Sequence, residues 1–175
     1  NRTRTLDRYR SDLRTPCVLN EGFVDQNTGS RGAGRIEQLQ HSATIGGGYQ
    51  NTIDYYGGAA TIGGGSGNFI QGYGIEATIA GGYANRIGFK AEGSTIGGGR
   101  ENRTYDDAVN ATIGGGRFNV VGGYGGATVP GGYSNYAGGL TAFAAGNRAK
   151  ADHDGAFVWA DNMQADFAST AANQF

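Results

Sequence analysis

The chain is poor in the residues on which most folds depend. Among 175 residues there are one Cys, one Met, one Trp and two Pro. A solitary Cys17 excludes an internal disulfide framework and leaves two readings, pairing with a partner or an inert thiol, of which the inert thiol is preferred. So little Pro, with no strict Gly-X-Y triplet, excludes a collagen-like rod. There is no run of about 20 apolar residues, so no segment reads as a membrane-spanning helix. No basic start followed by an apolar stretch reads as a leader. Charged residues make up 17% of the chain, against roughly 25% in a typical soluble domain. The 14 basic and 15 acidic side chains nearly cancel, leaving a formal net charge of −1. Nucleic acid is therefore not an expected partner, because phosphate binding draws on a basic excess. The chain begins at Asn1 and stops at Gln174-Phe175, and is expected to be a mature or excised piece of something longer.

Glycine is what the chain has instead: 35 residues, where an average chain carries roughly 7%. The glycines sit in a repeat. Ala43-Thr44-Ile45-Gly46-Gly47-Gly48 recurs from Ala60, Ala77, Ser94 and Ala111, and again as Ala127-Thr128-Val129-Pro130-Gly131-Gly132. The Thr column occupies 44, 61, 78, 95, 112 and 128, four steps of 17 residues and one of 16. Thr141-Ala142-Phe143-Ala144-Ala145-Gly146 reads as a degenerate seventh copy with Ala142 in the Thr column, a step of 14. A fixed step with shrinking insertions means stacked coils whose loops differ in length.

Two further columns follow the Thr. Asn51, Asn68, Asn85, Asn102, Asn119 and Asn135 lie seven residues on; Ile53, Ile70, Ile87, Thr104, Val121 and Ala137 lie nine on. Each coil thus holds two short strands joined by a Gly-rich turn. Alternation puts Ala and Ile of the first strand on one face and Thr on the other; Asn and the apolar residue share a face of the second. The expected fold is all-β, a parallel β-roll or β-solenoid of about seven to eight short coils, with two strands per coil and 17- then 14-residue repeats. The Asn ladder is expected to cap backbone groups in the bend and to bond to its neighbour about 4.8 Å along the axis. Residues 1–42 are expected to form a lead-in and cap, 43–161 the roll, and 162–175 the start of a connector. The arginine-rich Asn1–Arg14 run reads as a solvated lead-in, and Arg35 to Gln40 as a cap over the open sheet end.

A thin roll has little interior. The outward column Thr44, Thr61, Thr78, Thr95, Thr112 and Thr128, flanked by small uncharged residues, looks like a surface made to be covered, and self-association through it would supply the missing burial. Chemistry has little to draw on. His41 and His153 are the only histidines; Asp152-His153-Asp154 lacks the spacing of a metal site and reads as a turn. Asp106-Asp107 lacks the calcium-roll pattern, and no Gly-rich stretch is followed by Gly-Lys-Ser or Gly-Lys-Thr. No cofactor, metal or catalytic residue is expected. The triplets at Asn1, Asn102 and Asn110 match the glycosylation sequon, but Asn102 belongs to the ladder. Aromatics recur ten to twelve residues after the Thr column, at Tyr56, Tyr73, Phe89, Tyr105 and Tyr124. Stacking lines them up along one edge, with Tyr49, Tyr83 and Tyr133 on a second. These rings are candidate ligand contacts, or else pack on one another over Gly-rich backbone.

The columns resemble the head of trimeric autotransporter adhesins, the YadA-like left-handed parallel β-roll, whose shorter repeat has an Ala-Ile-Gly core; repeats of this kind also occur in phage tail-fibre-like proteins. Thr44-Ile45-Gly46 and its copies stand at the Ala-Ile-Gly positions. The segment from Ala142 to Phe175, with Asp154-Gly155-Ala156-Phe157-Val158-Trp159-Ala160-Asp161, is similar to a tail that follows such repeats in bacterial surface and fibre proteins. The resemblance implies a left-handed homotrimer with roll faces packed around a three-fold axis and the Thr column facing it. It further implies a non-enzymatic adhesin or fibre head, extracellular, at the cell surface or on a virion or tail fibre, presenting loops to a glycan or protein receptor. A phage or injection-machine tail-fibre component and a purely structural fibre are the neighbouring readings. Ice binding through the Thr column is a further one, and it needs that column exposed.

Overall fold

A computed structural model describes residues 34–36, 42–162 and 164–175. Cys17, His41, the Asn1–Arg14 run, its sequon and most of the cap segment lie outside these residues. Every regular element described is a β-strand, and all strand pairing is parallel. The strands form two sheets. The Thr sheet contains Thr44–Ile45, Thr61–Ile62, Thr78–Ile79, Thr95–Ile96, Thr112–Ile113, Thr128–Val129, Phe143–Gly146 and Phe157–Ala160. The Asn-side sheet contains Arg35–Ile36, Thr52–Ile53, Phe69–Ile70, Arg86–Ile87, Arg103–Thr104, Val120–Val121, Tyr136–Ala137, Ala149–Ala151 and Phe167–Ala168. Chain order alternates between the sheets, so the molecule is a β-solenoid of about eight coils.

One coil explains the rest. From Thr44–Ile45 the chain turns through Gly46-Gly47-Gly48 to a single bridging residue, Tyr49, which pairs with Ser66 of the next coil. It passes Gln50 in the left-handed conformation, buries Asn51, forms Thr52–Ile53, and returns by a loop to Thr61. Residues Ala43, Ile45, Asn51 and Ile53 are buried, and so are their counterparts above. Thr44 and Thr52 point outward and are half-buried. Each fully buried Ile is worth about 1.5–3 kcal/mol, but no coil can bury its own apolar side without a neighbour.

Two core positions break the apolar pattern and are satisfied locally. Ser94 stands in the Ala column, where its hydroxyl donates to the Ala108 carbonyl at 2.6 Å and accepts from Ala111 N at 3.0 Å. Thr104 stands in the Ile column, where Oγ1 accepts from Gly88 N at 3.1 Å. A buried hydroxyl left unpaired would cost about 1–3 kcal/mol.

The structure corrects the seventh copy. Thr128 pairs with Phe143, not Ala142, and Phe143 pairs with Phe157. Ala142 therefore continues the buried Ala column and Ala144 the buried apolar one, while Phe143 takes the outward Thr position. A one-residue slip exchanges the faces of every side chain in a strand. The physical reason is room: opposite Ala144 and Val158 stand Ala137 and Ala151, an interior too narrow for a Phe ring, which instead stacks outside on Phe157 with centroids 4.6 Å apart. The step from Thr128 is 15 residues and the following one, from Phe143 to Phe157, is 14. The pairing also runs past 43–161 at both ends, since Arg35–Ile36 pairs with Thr52–Ile53 and Phe167–Ala168 with Ala149–Lys150.

Candidate functional site

The Asn ladder is internal. Asn68 Nδ2 donates to Gly64 O of its own corner at 3.0 Å and to Gly82 O of the next coil at 3.0 Å, while Oδ1 accepts from Asn85 N at 3.0 Å. Asn51, Asn85, Asn102, Asn119 and Asn135 repeat this arrangement. One amide thus ties the Gly corner of its own coil to the coil above. Their complete burial removes these side chains, Asn102 of the sequon included, from any contact with a ligand.

That ladder fixes the Gly corner and explains two of its glycines. Gly65 has φ +86°, and a Cβ there would run into the Gly82 carbonyl of the next coil. Gly64, its neighbour, is in no such conformation, and a Cβ would meet nothing nearer than Gly47 O at 4.0 Å.

Three surfaces are left outside. The first is the outer face of the Thr sheet. Thr44, Thr61, Thr78, Thr95, Thr112 and Thr128 are in register, one per coil, and the rank continues as Phe143 and Phe157. Phe175 closes the stack on Phe157 at 4.9 Å. The two phenylalanines were not found from the sequence, because the misaligned copy placed Phe143 in the core. The spacing from Phe143 to Phe157 was the available signal.

The second surface is the loop edge. The five aromatics expected there do not form one ladder. Tyr56 stacks on Tyr73 at 4.7 Å, Phe89 meets Tyr73 edge-on at 5.4 Å, and Tyr55 joins them at 5.9 Å. Tyr105 leans instead toward Tyr136 on the outer face of the Asn-side sheet, 6.3 Å away. Tyr124 is 83% exposed and stacks on no ring of the described residues. The split follows from loop register: Tyr56 and Tyr73 occupy equivalent left-handed positions with Lys90 and Asp107, whereas Phe89 precedes that position. Asp106 Oδ1 accepts from Phe89 N at 2.9 Å, so this carboxylate caps the preceding coil's loop.

The third surface is the Gly–Asn corner with the adjoining outer face of the Asn-side sheet. The bridge ladder Tyr49, Ser66, Tyr83, Arg100, Arg117, Tyr133 and Asn147 runs along the corner. Beside it stand Thr52, Phe69, Arg86, Arg103, Val120, Tyr136 and Lys150. Burial raises the Tyr136 phenol above its ordinary value, and the charges of Tyr105 and Asp152 push the same way.

The Asp152-His153-Asp154 segment lies in a turn. The Ser169 hydroxyl, buried, accepts from Asp152 N at 3.0 Å and His153 N at 3.3 Å, and lies 2.8 Å from His153 Nδ1. These contacts staple the chain just after the last strand to the turn. Among the described residues there is no group of three or more His, Cys, Asp or Glu able to hold a metal and no helix long and apolar enough to cross a membrane. Comparison of the chain with protein-family models, curated proteins and solved structures finds no significant match.

Proposed function

We propose that the chain is the head of an extracellular attachment fibre, a cell-surface adhesin or a tail fibre, that works without catalysis. Its coils pack as a homotrimer through the Thr sheet, as in the adhesin heads it resembles. The observation that carries this reading is the outer face of that sheet. Eight in-register rungs carry six Thr and two Phe and no charge. Two residues on from the first five Thr stand Gly46, Gly63, Ala80, Gly97 and Gly114, all small, so backbone can approach closely there; Pro130, Ala145 and the exposed Trp159 take that position in the last three coils. At about 4.8 Å per rung the face is some 34 Å long. Phe143, Phe157 and Phe175 give its C-terminal end an apolar patch suited to burial at an axis.

In this arrangement the Gly–Asn corner and the loop edge face outward. The cluster of Tyr55, Tyr56, Tyr73 and Phe89 presents flat apolar area with hydroxyl tips to a receptor. Light scattering on the 175-residue chain and on Thr78→Arg tests the assembly. A mass of three chains, falling to one chain in the variant, is the expected result, because three guanidinium groups cannot share a dry axis. A monomer that the substitution leaves unchanged overturns the trimer, returns the Thr rank to water and makes ice-growth inhibition the next assay.

A further inference from the structure

We propose that the Gly–Asn corner between Tyr83 and Tyr133 is a binding surface for an acidic polysaccharide, with Arg86, Arg100, Arg103 and Arg117 as its charged centre. This rests on the attachment reading above and names a ligand class for it. Arg86 pairs in register with Arg103, and Arg100 with Arg117, so two like-charged pairs stand one strand spacing apart, about 4.8 Å. Like charges directly opposite in a sheet repel. Nearby compensation is slight: Arg100 Nε is bonded to Glu101 at 2.8 Å, Arg86 Nη2 donates to the neutral Gln71 side chain at 2.9 Å, and Arg103 and Arg117 form no ion pair among the described residues. Apart from Glu101, the acidic residues of the same coils, Glu92, Asp106 and Asp107, sit in the return loops at the opposite edge of the roll. Within these coils the charges thus fall mainly on a basic side and an acidic side.

Each of the four guanidinium groups also lies over a ring: Arg86 over Phe69 at 5.2 Å, Arg100 over Tyr83 at 5.3 Å, Arg103 over Tyr105 at 5.0 Å and Arg117 over Phe118 at 4.5 Å. A ring on one face holds each planar fork in place, which lowers the ordering cost of binding; Arg86 Nη2 and Arg100 Nε are engaged by Gln71 and Glu101 and Arg86 Nε is buried, so Arg103 and Arg117 have the most donors to give. Guanidinium forks match carboxylate and sulfate oxygens two at a time. Along the same corner the arginines are flanked by the half-exposed Tyr83, one face of which Arg100 covers, and the half-exposed Tyr133. A linear polymer laid along the solenoid axis meets ring, charge and ring in turn. That order suits a chain of sugar rings bearing acidic groups, with apolar sugar faces on the tyrosines. Duplex nucleic acid fits less well, because it spreads charge over a longer footprint and would meet only four cations on a chain without basic excess.

The test measures binding of the full chain to immobilised heparin, polygalacturonate, neutral dextran and duplex DNA at low and physiological salt. The variants are Arg86→Gln/Arg100→Gln/Arg103→Gln/Arg117→Gln, the matching fourfold Arg→Lys, and Tyr133→Ala. Thermal melting serves as the fold control, since all four arginines are on the outside. Expected are salt-sensitive binding to the two acidic polysaccharides, at least a tenfold loss in the Gln variant, a smaller loss in the Lys variant, and a loss for Tyr133→Ala at unchanged charge. Equal or tighter Arg-dependent binding to duplex DNA overturns the polysaccharide assignment, as does polyanion binding that survives the fourfold Gln change. The same proteins are applied to neutral glycans and extracellular-matrix proteins. Capture there that is indifferent to the arginines overturns this site and leaves the attachment reading standing; no capture on any surface overturns both.

Discussion

The long coils and the short coils of this solenoid solve the same problem in different ways. From Thr44 to Thr61 the chain uses 17 residues, and from Phe143 to Phe157 it uses 14. The stretch from bridge to Asn-side strand does not change: Tyr49 to Thr52 in one case, Asn147 to Lys150 in the other. Two residues are lost from the return loop, between Thr52 and Thr61 as against Lys150 and Phe157. One is lost from the corner, between Thr44 and Tyr49 as against Phe143 and Asn147. The loop shortens first: Thr112 to Thr128 is 16 residues and Thr128 to Phe143 is 15, both with the longer return reduced. When the corner finally loses its residue, the Asn ladder stops. Ala149 takes the next rung, and its N–H is the last to reach the ladder, donating to Asn135 Oδ1 at 2.9 Å. The strand through the corner then lengthens from two residues to four. A wide Gly corner therefore needs an amide to stitch it, whereas a tight one is held by continuous strand pairing.

The largest test of that contrast lies within one corner. Gly65→Ala should cost about 4 kcal/mol or prevent folding, since it combines a left-handed φ with collision against the Gly82 carbonyl. The adjacent Gly64→Ala should leave stability unchanged or raise it by about 0.4–1 kcal/mol through the unfolded chain. Chemical denaturation of the pair reads the difference directly, and equal losses would refute the account of the corner. Next comes the amide. Asn85→Ala strands Gly81 O and Asn102 N, while Gly99 O keeps the Tyr83 N–H; at about 1–3 kcal/mol for each buried unpaired group, a loss of about 3 kcal/mol is expected. In the short coil Ala149→Gly should cost only about 1 kcal/mol, so a similar drop in melting temperature for the two would count against the stitch.

Smaller effects distinguish the loops. Tyr73→Asn keeps a residue tolerant of the φ of +59° while removing contacts with Tyr55, Tyr56 and Phe89; about 1–2 kcal/mol is expected to be lost. Tyr124→Asn, with an exposed ring, should be silent in the same melt. The smallest effect is alkaline. Tyr136 has its pKa raised in the fold above the ordinary 10.0, so the folded state holds the phenolic proton after the unfolded chain has released it. Stability is then constant below the ordinary phenol range and falls as pH rises through it. Tyr136→Phe should flatten part of that fall, and an unaltered alkaline limb would remove Tyr136 as its source.

Most of the architecture was legible because the solenoid repeats each physical requirement once per coil. The Ala-Thr-Ile and Asn columns expose the period, the faces and the buried amide at once. Legibility failed where the repeat loosened. Thr141-Ala142-Phe143-Ala144-Ala145-Gly146 admits two alignments one residue apart, and sending the large apolar Phe inward is sound only if the interior is as wide as before. Here facing Ala residues had already narrowed it. The aromatic loops misled for a related cause: distances of ten, eleven and twelve residues from Thr are three different positions on a return loop. The arginine strip escaped notice because total charge is a sum, and segregation to opposite edges is visible only after the chain is wound.

The rungs also decide how the molecule yields under tension. Its inter-coil hydrogen bonds lie along the long axis, and each coil touches only its neighbours, so a pull on the two ends loads the rungs in series. Failure then proceeds one coil at a time, from an end coil that has a neighbour on one side only. The inner coils stay wound meanwhile and hold their outward surfaces in place.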